Sequence, residues 1–120
     1  VYGRGENVRD WLFVEDHAEA LGLVLTRGRV GESYNDGGRA ERTNLQVVEA
    51  ICDLLDQRQP LGGGRDRREL IAFVEDRPGH DRRYAIDPTK AEQELGWRAR
   101  RSLESGLAET IDWYLANDWW

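Results

Sequence analysis

An α/β fold with at least four helices and three or four short strands is predicted by three features of this 120-residue chain. Helix signals (apolar residues at three- and four-residue spacing, capping residues, terminal glycines) recur in four segments. Short apolar or extended runs lie between them. No repeat, low-complexity tract or linker divides the chain, and its length suits one domain with a modest core.

In chain order, Val8 to Phe13 reads as a short strand or extended lead-in. Val14 to Arg27 reads as a helix with Val14, Ala18, Leu21, Val24 and Leu25 on one face; Glu15 and Asp16 suit its positive end and Gly28 its stop. Ser33 to Asn35 is a short strand running into a Gly37–Gly38 turn. Thr43 and Gln46 have capping-box spacing and open a second helix to about Gln57, with Leu45, Val48, Ile51, Cys52 and Leu55 inward. Gln59 to Arg68 is one exposed loop. Leu70 to Val74, almost continuously apolar, reads as a buried strand, and Arg83 to Ile86 as another. Asp87 caps a short helix whose first residue is Pro88 and which Gly96 ends. Ser102 caps the last helix, with Leu103, Leu107, Ile111, Tyr114 and Leu115 at helical spacing.

Composition excludes several classes. The net charge is −6, with a pI near 4.9, which argues against a nucleic-acid binder. No stretch is long and apolar enough to span a bilayer, so no membrane association is expected. Cys52 is the single cysteine, which fits a reducing cytoplasm; with two histidines it makes no ordinary zinc site. The absence of methionine and the start at Val1 read as a fragment of a longer protein. Arginine supplies 16 of the 17 basic residues, and its planar fork suits carboxylates and phosphates.

Catalytic motifs are missing. Gly3-Arg4-Gly5 lacks the third glycine and the strand–helix context of a dinucleotide fingerprint and reads as a turn. Gly62-Gly63-Gly64 has no Lys-Ser/Thr behind it, no serine lies in a nucleophile elbow, and no Tyr-x-x-x-Lys pair occurs. Cys52 falls on an apolar helix face as an inert thiol, and His17 reads as a solvated or capping residue.

Three features could bind an anion. The run Glu75 to Tyr84 turns through Pro78 and Gly79 at the end of an expected strand and presents Arg77, Arg82, Arg83 and His80, forks suited to a diphosphate. The competing reading is a self-neutralised run, with Asp76 and Asp81 pairing Arg77 and Arg82. The start of the second helix offers free N–H groups, with Asn44 as an added donor. Arg9, ahead of the first helix, is the third.

Together these segments resemble the dTDP-glucose 4,6-dehydratases. The resemblance is carried by Val1-Tyr2-Gly3, the run Asn7 to His17, Gly31 to Asn35 with Gly37-Gly38, and Thr43-Asn44-Leu45. The run Asp76 to Asp87 is its sharpest piece, and Glu94 to Trp97 with Glu104 to Leu115 complete it. It implies the carboxyl-terminal, substrate-binding part of an extended short-chain dehydrogenase (Rossmann-type) fold over residues 1–120. The NAD-binding portion and the catalytic residues would lie upstream. It implies an NAD-dependent lyase making a 4-keto-6-deoxy sugar nucleotide for deoxysugar or rhamnose biosynthesis, cytoplasmic and homodimeric at full length.

By position, Arg9, Asn44, Arg77 and His80 match nucleotide-contacting residues, and Val1-Tyr2 the end of the nucleobase pocket. Asp76, Pro78 and Gly79 complete the expected dTDP-sugar site; no catalytic, NAD-binding or metal-binding residue is expected in this chain. Asp36 stands where the family usually has an aliphatic strand residue, so the strand is expected to end at Asn35. The alternatives are the same region of a UDP-sugar epimerase or a GDP-mannose dehydratase, or a non-catalytic nucleotide-binding module.

Overall fold

Thr43 and Gln46 cap a helix as their spacing predicts: Thr43 Oγ1 accepts from Gln46 N at 3.1 Å, and Gln46 Oε1 from Thr43 N at 2.9 Å. Ser102 Oγ likewise accepts from Ser105 N at 3.2 Å. Asp87 Oδ1 accepts from Thr89 N at 3.0 Å, so the carboxylate caps a helix one residue later than expected, after a buried Pro88. The computed structural model describes all 120 residues, Val1–Trp120. The elements are β1 (Val8–Asp10), α1 (Val14–Arg27), β2 (Glu41–Thr43), α2 (Asn44–Arg58), α3 (Thr89–Leu95) and α4 (Leu103–Ala116). Two 3-10 turns, Gly62–Gly64 and Arg67–Leu70, lie between α2 and α3. No helix is long and apolar enough to cross a membrane.

β1 and β2 pair antiparallel, with Val8 opposite Thr43, Arg9 opposite Arg42 and Asp10 opposite Glu41. Two isolated parallel bridges, Tyr2 to Val74 and Val8 to Arg83, complete the extended pairing. Three expected strands therefore fall short. Ser33 to Asn35 forms none, because no neighbouring strand lies beside it. Tyr34 is instead held by its hydroxyl, which accepts from Arg29 N and donates to Glu94 Oε2. Leu70 to Val74 is not a buried strand: Asp66 Oδ1 caps the turn into Leu70, only Val74 finds a bridge partner, and Leu70, Phe73 and Val74 are exposed. Arg83 to Ile86 contributes one bridging residue. Gly37 and Gly38 are required by close approach, since a Cβ would sit 2.5 Å from Asp10 Oδ2 and 2.2 Å from Trp11 O respectively.

The core is small. Ala20, Ala91, Leu95 and Trp97 form it, flanked by Leu12, Leu23, Val24, Tyr34 and Ala99, and so join α1 to α3. Val47 and Ile111 are the buried apolar residues of α2 and α4, which pack together. The faces differ from those read in the sequence. On α1, Val14, Ala18, Leu21 and Leu25 are exposed, Leu25 to 87%, while Asp16 and Ala20 are buried. On α2, Val47 is buried where Leu45, Val48, Ile51, Cys52 and Leu55 are only half-buried, and Tyr114 on α4 is exposed. Helical periodicity marks apolar residues, but the neighbour that α1 has is α3, and α3 meets only the other side of the helix. The radius of gyration, 17.1 Å, exceeds the roughly 13.6 Å of a compact domain of this length.

Asp16 is the buried charge of this core, 1% exposed. Its Oδ2 accepts from Arg100 N at 2.9 Å and Arg101 N at 3.0 Å, and its Oδ1 faces Arg101 Nη1 at 3.3 Å. Its backbone carbonyl accepts from the Trp97 indole at 3.0 Å. Burial pushes the carboxyl pKa up, but those donors together outweigh it and hold the pKa below its ordinary value. A depressed folded-state pKa adds stability that is complete above the unfolded value near 3.8 and is lost as pH falls through the lower folded value.

Asp16→Ala should therefore lower stability by about 3 kcal/mol, as for removal of one member of a buried charged cluster, read by urea denaturation at pH 7. Asp16→Asn should flatten the acid limb of the stability–pH curve. Leu21→Lys with Leu25→Lys, on the exposed face of α1, should change stability by no more than about 0.5 kcal/mol and reduce binding of a hydrophobic dye; a large loss would show that this face is buried.

Candidate functional site

Three segments distant in sequence are stitched into one unit by backbone hydrogen bonds. Val74 N donates to Val1 O at 2.8 Å and Gly3 N to Val74 O at 2.9 Å. Val8 N donates to Arg82 O at 2.9 Å and Tyr84 N to Val8 O at 3.0 Å. The start of α2 joins through Asn44 N to Asn7 O and Leu45 N to Gly5 O, both at 3.0 Å. Gly3-Arg4-Gly5 is the expected turn, with Gly5 N on Tyr2 O at 3.0 Å. All nine residues expected in the site (Val1, Tyr2, Arg9, Asn44, Asp76, Arg77, Pro78, Gly79 and His80) lie on this unit.

Arg9 is held at both ends of its fork. Nη1 donates to Val8 O at 2.6 Å and Nη2 to Asp81 O at 2.9 Å, while the guanidinium lies 4.3 Å from the Tyr84 ring centroid. Its partners are neutral carbonyls and a ring face, so no carboxylate offsets its charge. Arg77 and Arg82 have no ion pair at all. Eleven of the sixteen arginines have a carboxylate within 4.0 Å. Of the five that do not, Arg9, Arg77 and Arg82 belong to this unit, leaving Arg27 and Arg98 elsewhere.

The self-neutralised reading of the 75–84 run therefore does not describe the structure. Asp76 Oδ1 accepts from His80 Nδ1 at 2.7 Å and from Arg77 N at 2.9 Å, and Asp81 accepts from the Tyr84 hydroxyl. The His80 hydrogen bond, aided by Arg77 N–H and opposed by burial, holds the Asp76 carboxyl below the usual range. Hydrogen bonding to Asp81 raises the Tyr84 phenol, which stays a neutral donor. Arg83 pairs with Glu41 instead, Nε to Oε2 at 2.8 Å and Nη2 to Oε1 at 3.0 Å.

The α2 N-terminus also departs from expectation. Its first N–H groups are not free: Asn44 N, Leu45 N and Gln46 N are taken by Asn7 O, Gly5 O and Thr43 Oγ1. Only the Asn44 side chain remains to serve a ligand there. Cys52 behaves as read, its thiol pushed up first by burial and then by Asp56 and Asp53. His17 Nδ1 meets Asp36, so the carboxylate that interrupts the expected strand is partnered at the surface.

Asn7, Asp81 and Tyr84 are not among the nine residues expected in the site. Asp81 O receives both Asn7 Nδ2 at 3.1 Å and Arg9, and Tyr84 underlies Arg9, so these residues aim the site. The placement of Tyr84 three residues after Asp81 is the signal that could have found that pair. Two clefts, about 300 Å³ beside Arg42 and Leu103 and about 580 Å³ between Trp11 and Trp120, are lined by other residues.

The chain has close counterparts. The pattern of the GDP-mannose 4,6-dehydratase family matches residues 1–110. A dTDP-glucose 4,6-dehydratase of Xanthomonas campestris pv. campestris is 59% identical over the whole chain, which covers 34% of that protein. The crystal structure of a dTDP-glucose 4,6-dehydratase from Bacillus anthracis, in complex with NAD, superposes with a TM-score of 0.85 at 48% identity, over 100% of this chain and 35% of that one. A dTDP-glucose 4,6-dehydratase from Streptomyces venezuelae, with NAD and TYD bound, gives 0.84 at 41% identity, over 99% and 34%. The chain spans about a third of the length of the relatives it matches. The α/β architecture is thus the one that this portion of those dehydratases adopts, and the chain belongs to the GDP-mannose 4,6-dehydratase family.

Proposed function

We propose that residues 1–120 are the carboxyl-terminal, sugar-nucleotide-binding part of a dTDP-glucose 4,6-dehydratase, the longer protein being a cytoplasmic, homodimeric, NAD-dependent lyase. The observation that carries this reading is the placement of three guanidinium groups without carboxylate partners, Arg9, Arg77 and Arg82, on one hydrogen-bonded unit. A nucleoside diphosphate brings anionic oxygens, which these three side chains do not contact within the chain, and guanidinium forks bind such oxygens in pairs. Arg9, fixed by two carbonyls and the Tyr84 ring, supplies a preset charge, and Arg77 a fork placed by the Pro78–Gly79 turn. His80 and Asn44 add hydrogen bonds, and Val1-Tyr2 borders the nucleobase.

Bound NAD supplies the hydride chemistry of such enzymes, and the residues of this chain do not fit it. Gly3-Arg4-Gly5 turns toward β1 rather than into a helix, so it points no helix N-terminus at a pyrophosphate. The cofactor and the catalytic residues are assigned to the rest of the longer protein. The task of this chain is to bind and orient the nucleotide end of the substrate, leaving the sugar to the remainder. The family match leaves a GDP-sugar as the second reading.

Calorimetric titration of dTDP, UDP and GDP into the full-length protein distinguishes the two, with dTDP expected to bind most tightly. Arg77→Lys should weaken dTDP binding roughly tenfold to a hundredfold, the range for a hydrogen bond to a charged group, with NAD affinity unchanged. Arg83→Lys, whose partner is Glu41, should weaken it less. Equal binding by Arg77→Lys and the parent would remove Arg77 from the site. The purified 120-residue chain should neither bind NAD nor form a 4-keto sugar nucleotide from dTDP-glucose; detection of that product would refute the division of labour.

A further inference from the structure

His80 is held more tightly than a surface loop residue needs to be. Its side chain is 8% exposed, its Nδ1 lies 2.7 Å from Asp76 Oδ1, and the Tyr2 ring meets it edge to face at 6.4 Å between centroids. Every buried side-chain nitrogen and oxygen in the protein has a partner, and His80 Nε2 has none, so Nε2 is not fully buried. An ionised carboxylate only accepts hydrogen bonds, so the proton shared with Asp76 sits on His80 Nδ1.

Asp76 is itself fixed. Its Oδ1 also accepts from Arg77 N at 2.9 Å, and its carboxylate lies over Gly3, where a Cβ would approach Oδ2 to 2.9 Å. Gly3 has φ +53°, and its N–H is tied to Val74 O, so the floor beneath the carboxylate is rigid. Glycine is the residue that leaves room there.

We propose that Asp76 is a positioning residue that keeps the His80 imidazole in its Nδ1-protonated form, so that the ring meets the ligand through Nε2. This rests on the nucleotide-site reading above for the identity of the ligand, but not for the state of the ring. In the neutral ring Nε2 is an acceptor, suited to a hydroxyl or a base N–H. On taking up a proton it becomes a donor to a phosphate oxygen while Nδ1 keeps its bond to Asp76. Asp76 touches no ligand in this scheme and acts only through His80. Gly3 acts one step further back, by leaving the carboxylate its place.

The test is long-range ¹⁵N–¹H spectroscopy of the imidazoles in the full-length protein at neutral pH. The His80→Gln variant assigns the His80 signals as those it removes. The parent is expected to show Nδ1 protonated and Nε2 bare. Asp76→Asn, which keeps an accepting oxygen, should preserve that pattern. Asp76→Ala and Gly3→Ala should shift it toward the Nε2-protonated form. A parent ring protonated on Nε2 alone overturns the proposal without any variant, as does an unchanged pattern in a folded Asp76→Ala protein. Titration of dTDP into the full-length protein forms the second arm: Asp76→Ala should bind about tenfold more weakly and Asp76→Asn nearly as well as the parent. Failure of the parent to bind dTDP would sink the nucleotide-site reading and leave the tautomer result to stand or fall by its own spectrum.

Discussion

The buried carboxylate of Asp16 is the constraint on which the arrangement of helices depends. A single side chain on the first turn of α1 accepts two successive backbone N–H groups from the Arg100–Arg101 link, and the same residue's carbonyl takes the Trp97 indole. The chain therefore cannot leave α3, turn and begin α4 without passing over α1. Around this point Arg101 also reaches Glu15 and Glu109 and lies 4.6 Å from the Phe13 ring centroid. A buried anion unpaired in this way would be very costly, and with every donor in place it specifies one geometry. So small a core cannot choose its geometry by apolar contact alone, and directional polar bonds do that work here.

The candidate site depends on this frame indirectly. β1 leads straight into α1, and β1 also carries Arg9 and receives both β2 and the Arg82–Tyr84 segment. Fixing α1 thus fixes the strand from which the site is built. Asn7, just before this strand, and Arg9 on it then pin the Asp81 carbonyl, so the 76–84 loop is attached at its end while its Pro78–Gly79 turn stays exposed. The loop is anchored where the chain must be oriented and open where a ligand would arrive.

What was legible in the sequence is what is decided within one turn of chain. Thr43 with Gln46, Ser102 and Gly96 punctuate helices where their spacing says, and Asp87 within one residue of it, because a cap needs only its own backbone neighbours. What failed needed a distant partner. The alternation on α1 is real, but which side is buried depends on what lies against it, and Leu70 to Val74 is apolar without a layer to cover it. Asp16 looked like an ordinary helix-start acid for the same reason: its donors lie more than eighty residues away. In the site, the cluster of chemistry-bearing residues was readable, since arginines beside a Pro-Gly turn are a local pattern. The pairing within it was not. Asp76 reaches His80 across that turn and not the adjacent Arg77 side chain, a choice made by the geometry of the turn and by the room above Gly3.

That choice gives the arginine-rich composition its meaning. Several arginines tie loops to helices at the surface, as Arg68 does to Asp53 and Arg39 to Glu92, and exposed pairs of this kind add little stability each. A chain of net charge −6 has carboxylates enough to pair them all. Arg77 and Arg82 nevertheless lie among Asp76 and Asp81 with neither acid bound to their side chains, while His80 and Tyr84 hold those acids. Those partners satisfy carboxylate oxygens, and the Arg77 and Arg82 forks stay without an ion pair. A guanidinium fork without an internal partner can take two oxygens of an external anion, and the acids of this loop, bound to His80 and Tyr84, do not fill the forks of Arg77 and Arg82.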